Sequence, residues 1–101
     1  MSIESERVGN KITIRITGVF GHECREKFQH VFTYQEGKPK DHEYIIDFKE
    51  ITHISSTGAG LLILLRDHCG EESANISLIN VNDHILGLLE LLQFNRIFKI
   101  N

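Results

Sequence analysis

The sequence predicts an α/β fold: one small domain whose mixed, mostly parallel sheet opens with an antiparallel hairpin and carries its helices packed upon it. Three observations lead there. Near the N-terminus Ile12, Ile14 and Ile16 interleave with Lys11, Thr13, Arg15 and Thr17, the two-residue period of a strand with one buried face. Beyond that stretch, helical and strand periods alternate, which favours parallel strands joined by right-handed crossovers. The 101 residues, 41% of them hydrophobic, suffice to bury one core but hardly two.

Taken in order, residues 4–8 and 11–17 flank Gly9-Asn10, a pair that tolerates positive φ, and so form the opening hairpin. Over residues 22–34, Cys24, Phe28, Val31 and Phe32 recur at helical spacing, with Glu23, Arg25, Glu26 and Lys27 mostly opposite, which predicts an amphipathic helix. Residues 35–42 hold Gly37 and the only proline, Pro39, among charged residues and read as an exposed loop. The nearly continuous apolar run Tyr44-Ile45-Ile46-Asp47-Phe48 has the pattern of a central strand covered on both faces. Residues 57–69, apolar around most of the circumference and stopped by Gly70, predict a buried helix. A strand over 76–79 follows, then a helix that Asp83 would cap, with Ile85, Leu86, Leu88, Leu89, Leu91 and Leu92, and a last strand over 97–100.

Composition narrows the function. No apolar run reaches the roughly 18 residues of a membrane span, and residues 1–6 lack the basic-then-apolar layout of a signal peptide, so the expected address is the cytoplasm and no membrane partner is expected. Cys24 and Cys69 fall on two different helices without CxxC spacing and are expected to be reduced and partly buried. The net charge of −3 with dispersed Lys and Arg argues against nucleic acid and for a protein or small-molecule partner. Six histidines (His22, His30, His42, His53, His68, His84) show no metal-ligand spacing, so surface or half-buried imidazoles are expected, with no metal and no cofactor.

One stretch, THISSTGAGLLILL over 52–65, places three hydroxyl residues and two glycines directly against the most apolar run of the chain. Ser55-Ser56-Thr57-Gly58 sits at a strand-to-helix turn, where free amides and the positive end of the helix dipole gather. A helix cap explains one hydroxyl, not three, while Gly58 and Gly60 are expected to let neighbouring backbone approach. The stretch lacks the Lys of a phosphate-binding GxxxxGK[ST] loop, is not GxGxxG, and has Ile54 where a GxSxG nucleophile elbow requires glycine. Ser56, His53 and Asp47 would supply the residue types of a hydrolytic triad, but sequence neighbours rarely supply its geometry.

The segment YIIDFKEITHISSTGAGLLIL (44–64) resembles the signature of the STAS domain of bacterial anti-sigma-factor antagonists: strand, acidic residue, then Asp-Ser-Ser/Thr-Gly-x-Gly and an apolar helix. IRITGVF (14–20) is similar to the family's second strand and turn, and VNDHILGLLELLQFNRIFKI (81–100) to its closing helix and strand. The resemblance implies a single STAS domain over 1–101, no enzymatic activity, and a hydroxyl phosphorylated by a partner serine kinase, often the anti-sigma factor itself. That position is Ser56, with Asp47, Thr57, Gly58 and Gly60 matching further motif positions. It also implies a metal-dependent serine phosphatase, a partner surface over Ser55, Ser56, Thr57, Gly58, Ala59, Gly60, Gly21, His22 and His53, and a monomer or weak dimer. Two positions depart from the pattern: Ser55 and Gly21 each stand where the family usually has Asp. Other readings stay open, namely a STAS-like regulator of a non-sigma target, a domain binding a nucleotide or another phosphate-containing ligand at the same helix end, and a hydrolase using Ser56. The absence of Lys or Arg between Lys49 and Arg66 counts against the ligand reading. A strip of the leucine-rich last helix is a second candidate for partner contact or dimerisation.

Overall fold

A computed structural model describes residues 2–101. Strands β1 (Ser2–Val8) and β2 (Lys11–Phe20) form the expected antiparallel hairpin, turning at Gly9, whose φ of 64° suits glycine. In β2, Ile12, Ile14 and Ile16 are fully buried, whereas Lys11, Arg15 and Thr17 are exposed. β3 (Glu43–Asp47), β5 (Asn75–Ile79) and β6 (Lys99–Ile100) extend the sheet in parallel, in the order β1-β2-β3-β5-β6.

β4 (Ile51–Ile54) has no counterpart in the sequence reading. It is short, its middle residues Thr52 and His53 are both exposed, and the alternation that marks a strand is therefore missing. It pairs with the far end of β2, Gly18 against Ile51 and Phe20 against Ile54, past a register shift at Gly18/Val19. β2 thus forks: residues 11–15 hold β3, and residues 18–20 hold β4.

Helix α1 (Arg25–Thr33) follows a 3-10 turn over His22–Cys24, so the helical periodicity starts as a tighter turn. Cys24, Phe28 and Phe32 bury one face of this segment. α2 (Ser56–His68) begins one residue earlier than expected and buries Gly58, Leu61, Leu62 and Leu65, but Leu64 stays exposed, so it packs by one face and is not wholly buried. Gly70 then takes the left-handed conformation, φ 91°, as a helix stop. α3 (Asp83–Leu91) is capped by Asn82, whose Oδ1 accepts the Ile85 N–H at 2.9 Å, and not by Asp83, which is already helical. The last strand is shorter than expected because Phe94–Arg96 forms a 3-10 turn and the Phe98 N–H still bonds back to Phe94 O.

Tyr44, Ile46 and Phe48 are buried, while Ile45 and Asp47 remain half-exposed. The central strand is therefore fully covered on one face only, contrary to the two-sided expectation. The other face carries half-buried or exposed residues, among them Thr13, Arg15, Ile45, Asp47 and Ser77. His42 also departs from the expectation for the histidines: it is buried, and its Nε2–H donates to Glu36 O. None of the described helices is long and apolar enough to cross a membrane.

Both cysteines are free and fully buried, deeper than the partial burial expected. Burial pushes the Cys69 thiol up to about 11 and raises that of Cys24 as well, so both stay protonated and unreactive at neutral pH. A thiol reagent is expected to label neither cysteine in the folded protein on the timescale that labels both after denaturation; rapid labelling of either in the folded state would contradict this packing.

Candidate functional site

The forked end of β2 sets up the site. Phe20 pairs with Ile54 across β2 and β4, and the Phe20 carbonyl accepts the Ser55 N–H at 3.1 Å. Ser55 is thereby held in extended conformation, φ −97° and ψ 174°, the usual geometry of a helix N-cap. Its Oγ accepts the Gly58 N–H at 3.3 Å and its carbonyl accepts the Ala59 N–H at 3.0 Å.

The three hydroxyls consequently have three environments. Ser55 is half-buried and occupied as the cap, Thr57 is half-buried, and Ser56 is exposed as the first helical residue. Because Ser55 uses its oxygens on the amides of 58 and 59, the Ser56 and Thr57 amides are the free donors of this first turn.

The glycines separate in the same way. A Cβ at residue 58 would overlap the Phe20 carbonyl oxygen, so Gly58 is required where α2 crosses the end of β2, and it lies beneath the surface. A Cβ at residue 60 would meet nothing within 4 Å, so no close backbone approach accounts for Gly60. At Gly21 an added Cβ would stand 2.5 Å from Ser55 Oγ and 3.3 Å from Ser55 Cβ. The two positions that depart from the acidic pattern, 21 and 55, therefore touch, and the absence of a side chain at one makes room for the capping hydroxyl of the other. Their separation in sequence hid this coupling.

Two hollows flank the Ser55-Ser56 ridge. One, of about 360 Å³, is lined by Ile54, Ser55, Ser56, Ala59, Leu88, Leu91 and Leu92. The other, of about 540 Å³, is lined by Gly18, Val19, Gly21, His22, Glu23 and Ser55. Gly21, His22, Ser55, Ser56 and Ala59 are thus brought together at one end of the sheet. His53 is exposed on β4 beside the end of β2 but lines neither hollow. Val19 and Glu23 also line the site, and no local sequence signal marks them. The leucine strip, expected as a separate contact, is part of the same site: Leu88, Leu91 and Leu92 form a wall of the hollow beside Ser56.

The hydrolytic arrangement does not assemble. Asp47 Oδ1 accepts the Lys49 N–H at 3.0 Å and an Asn80 Nδ2 hydrogen at 2.9 Å, and Oδ2 lies 3.8 Å from Arg15 Nε. No hydrogen bond links Asp47, His53 and Ser56 among the described residues. Nor do three or more His, Cys, Asp or Glu gather as a metal site among them.

Residues 3–100 match the profile of the family described as "Mlab, STAS domain". A STAS-domain-containing protein of Pseudomonas aeruginosa is 33% identical over 93 residues, covering 92% of this chain and 90% of that protein. Two solved structures share the fold. One is the anti-sigma factor antagonist SpoIIAA in its unphosphorylated form, with TM-score 0.70 and 15% identity over 95% of this chain and 97% of that one. The other is a proposed anti-sigma factor antagonist from Thermotoga maritima, with TM-score 0.80 and 18% identity over 97% and 84%.

Substitutions at the junction separate packing from surface roles. Gly58→Ala is expected to destabilise the fold by about 2 kcal/mol or more, and Gly60→Ala to be neutral or stabilising by up to about 1 kcal/mol. Ser55→Ala should cost about 1 kcal/mol as a lost cap, and Ser56→Ala no more than about 0.5 kcal/mol at an exposed position. Denaturant unfolding of the four variants reads these differences; equal effects at 58 and 60, or at 55 and 56, would contradict the assignment.

Proposed function

The chain belongs to the STAS-domain family, and from that premise we propose that it is a non-enzymatic regulatory binding protein of the anti-sigma-factor antagonist type, switched by phosphorylation of Ser56. The observation that carries the proposal is the division of labour among the hydroxyls: Ser55 caps α2, which leaves Ser56 exposed at the positive end of a 13-residue helix. Modification of Ser56 therefore removes no bond that holds the fold.

A phosphoserine adds roughly −1.5 to −2 charges and three strong acceptor oxygens. The helix dipole and the free amides of the first turn favour that charge, so the domain stays folded while a neutral surface becomes negative. A partner packed on the neutral hydroxyl then faces uncompensated desolvation or like-charge contact, each able to cost several kcal/mol. Unmodified protein sequesters its target, and phosphorylated protein releases it. The target on this reading is a serine kinase that doubles as an anti-sigma factor, or a related regulator of another process, and a metal-dependent phosphatase resets the switch.

Binding by two variants tests this. Against the partner co-purified with the wild-type chain, Ser56→Asp is expected to lose at least about tenfold in affinity, equivalent to about 1.4 kcal/mol. Ser56→Ala is expected to bind like the unmodified protein and to ignore kinase and ATP. Equal binding by the two variants would overturn the switch.

A further inference from the structure

α3 buries Ile85 and Leu89 but leaves Leu91 81% and Leu92 52% exposed, with Leu88 half-buried between core and solvent. These leucines face the first turn of α2 across the hollow that also contains Ser56. None of its seven lining residues carries a charge. The walls have helical spacing: Leu88 and Leu91 of α3 and its C-cap Leu92 form an i, i+3, i+4 ridge, and Ser56 and Ala59 an i, i+3 pair on α2. The complement of two such ridges is the ridge of a third helix, which fills a groove with apolar anchors at i, i+3 or i+4, and i+7.

We propose that this groove seats an amphipathic helix of the regulatory partner, whose apolar stripe lies against Leu88, Leu91 and Leu92 and whose flank passing Ser56 is neutral or acidic. The sign of that flank rests on the switch reading above. A basic flank would be drawn to phosphoserine and would tighten the complex on modification, whereas a neutral or acidic one is left desolvating or opposing the new charge. Ser56 links the two: it lines the same groove as the leucines, so its modification acts on the docked helix directly.

Photocrosslinking tests the assignment on the full chain in its native cells. A benzophenone amino acid replaces Leu91, with a second variant carrying it at Val19, across the Ser55-Ser56 ridge, and a third at Tyr34, exposed at the end of α1. All three sites are exposed, and thermal melts confirm that the variants fold. The expected result is an adduct at Leu91 and none at Tyr34, with the sequenced peptide of the other protein showing apolar residues at helical spacing and no Lys or Arg on the flank next to them. Adding Ser56→Asp should cut its yield about tenfold relative to adding Ser56→Ala. A Leu91 adduct to a second copy of this chain, to a lipid or to a peptide without helical periodicity overturns the proposal. So does a phosphate-sensitive adduct at Val19 with none at Leu91, which rejects the groove while sustaining the switch. A Leu91 adduct equally strong with Ser56→Asp and Ser56→Ala overturns the switch instead, and with it the assigned flank.

Discussion

The Phe20 carbonyl is the point on which the site depends. It takes the Ser55 N–H and occupies the space where a side chain at residue 58 would stand. The first contact fixes the conformation that makes Ser55 a cap, and the second brings α2 down onto the end of β2. Without both, the first turn of α2 would not be held at this edge of the sheet, and the hydroxyl of Ser56 would have no defined neighbours. The register shift opposite Gly18 and Val19 belongs to the same constraint: Thr52 of β4 falls between their partners Ile51 and His53, and past it Phe20 meets Ile54.

On the proposed switch, this junction separates the residues that hold the helix from the residue that is modified. The cap, the buried glycine and the sheet pairing hold the helix, and the exposed serine beside them holds nothing. A modification there changes charge without loosening the core. At positions 21 and 55 a glycine and a serine fit together, since a Cβ at residue 21 would stand 2.5 Å from the capping oxygen of Ser55. The surface around Ser56 is accordingly apolar on the α3 side and nearly free of charge along the first turns of α2, which favours partner contact through packing more than through ion pairs.

Much of the fold was legible because periodicity reports burial. The isoleucines of β2 alternate and are buried on one face, and Gly70 stops its helix. What was hidden depended on tertiary pairing. β4 has four residues with both middle positions exposed, and no local pattern distinguishes it from a loop. The apolar run at 44–48 looked two-sided because Ile45 is as apolar as Ile46, although the sheet leaves its second face open. Asn82 and Asp83 are both capping residue types, and only the chain's path selects the first. At the site, the three adjacent hydroxyls and the resemblance to the STAS signature pointed to the loop. Which hydroxyl is spent on the cap depends on where the helix starts, and the leucine wall depends on α3 folding beside α2, neither of which a local reading contains.

The most direct measurement is phosphosite mapping by mass spectrometry on the protein recovered from its native cells, with and without phosphatase treatment. The expected result is a phosphatase-sensitive phosphate on Ser56, with Ser55 and Thr57 unmodified. Well-covered peptides without phosphate on Ser56 across growth conditions, or with the phosphate on Ser55, would contradict the account.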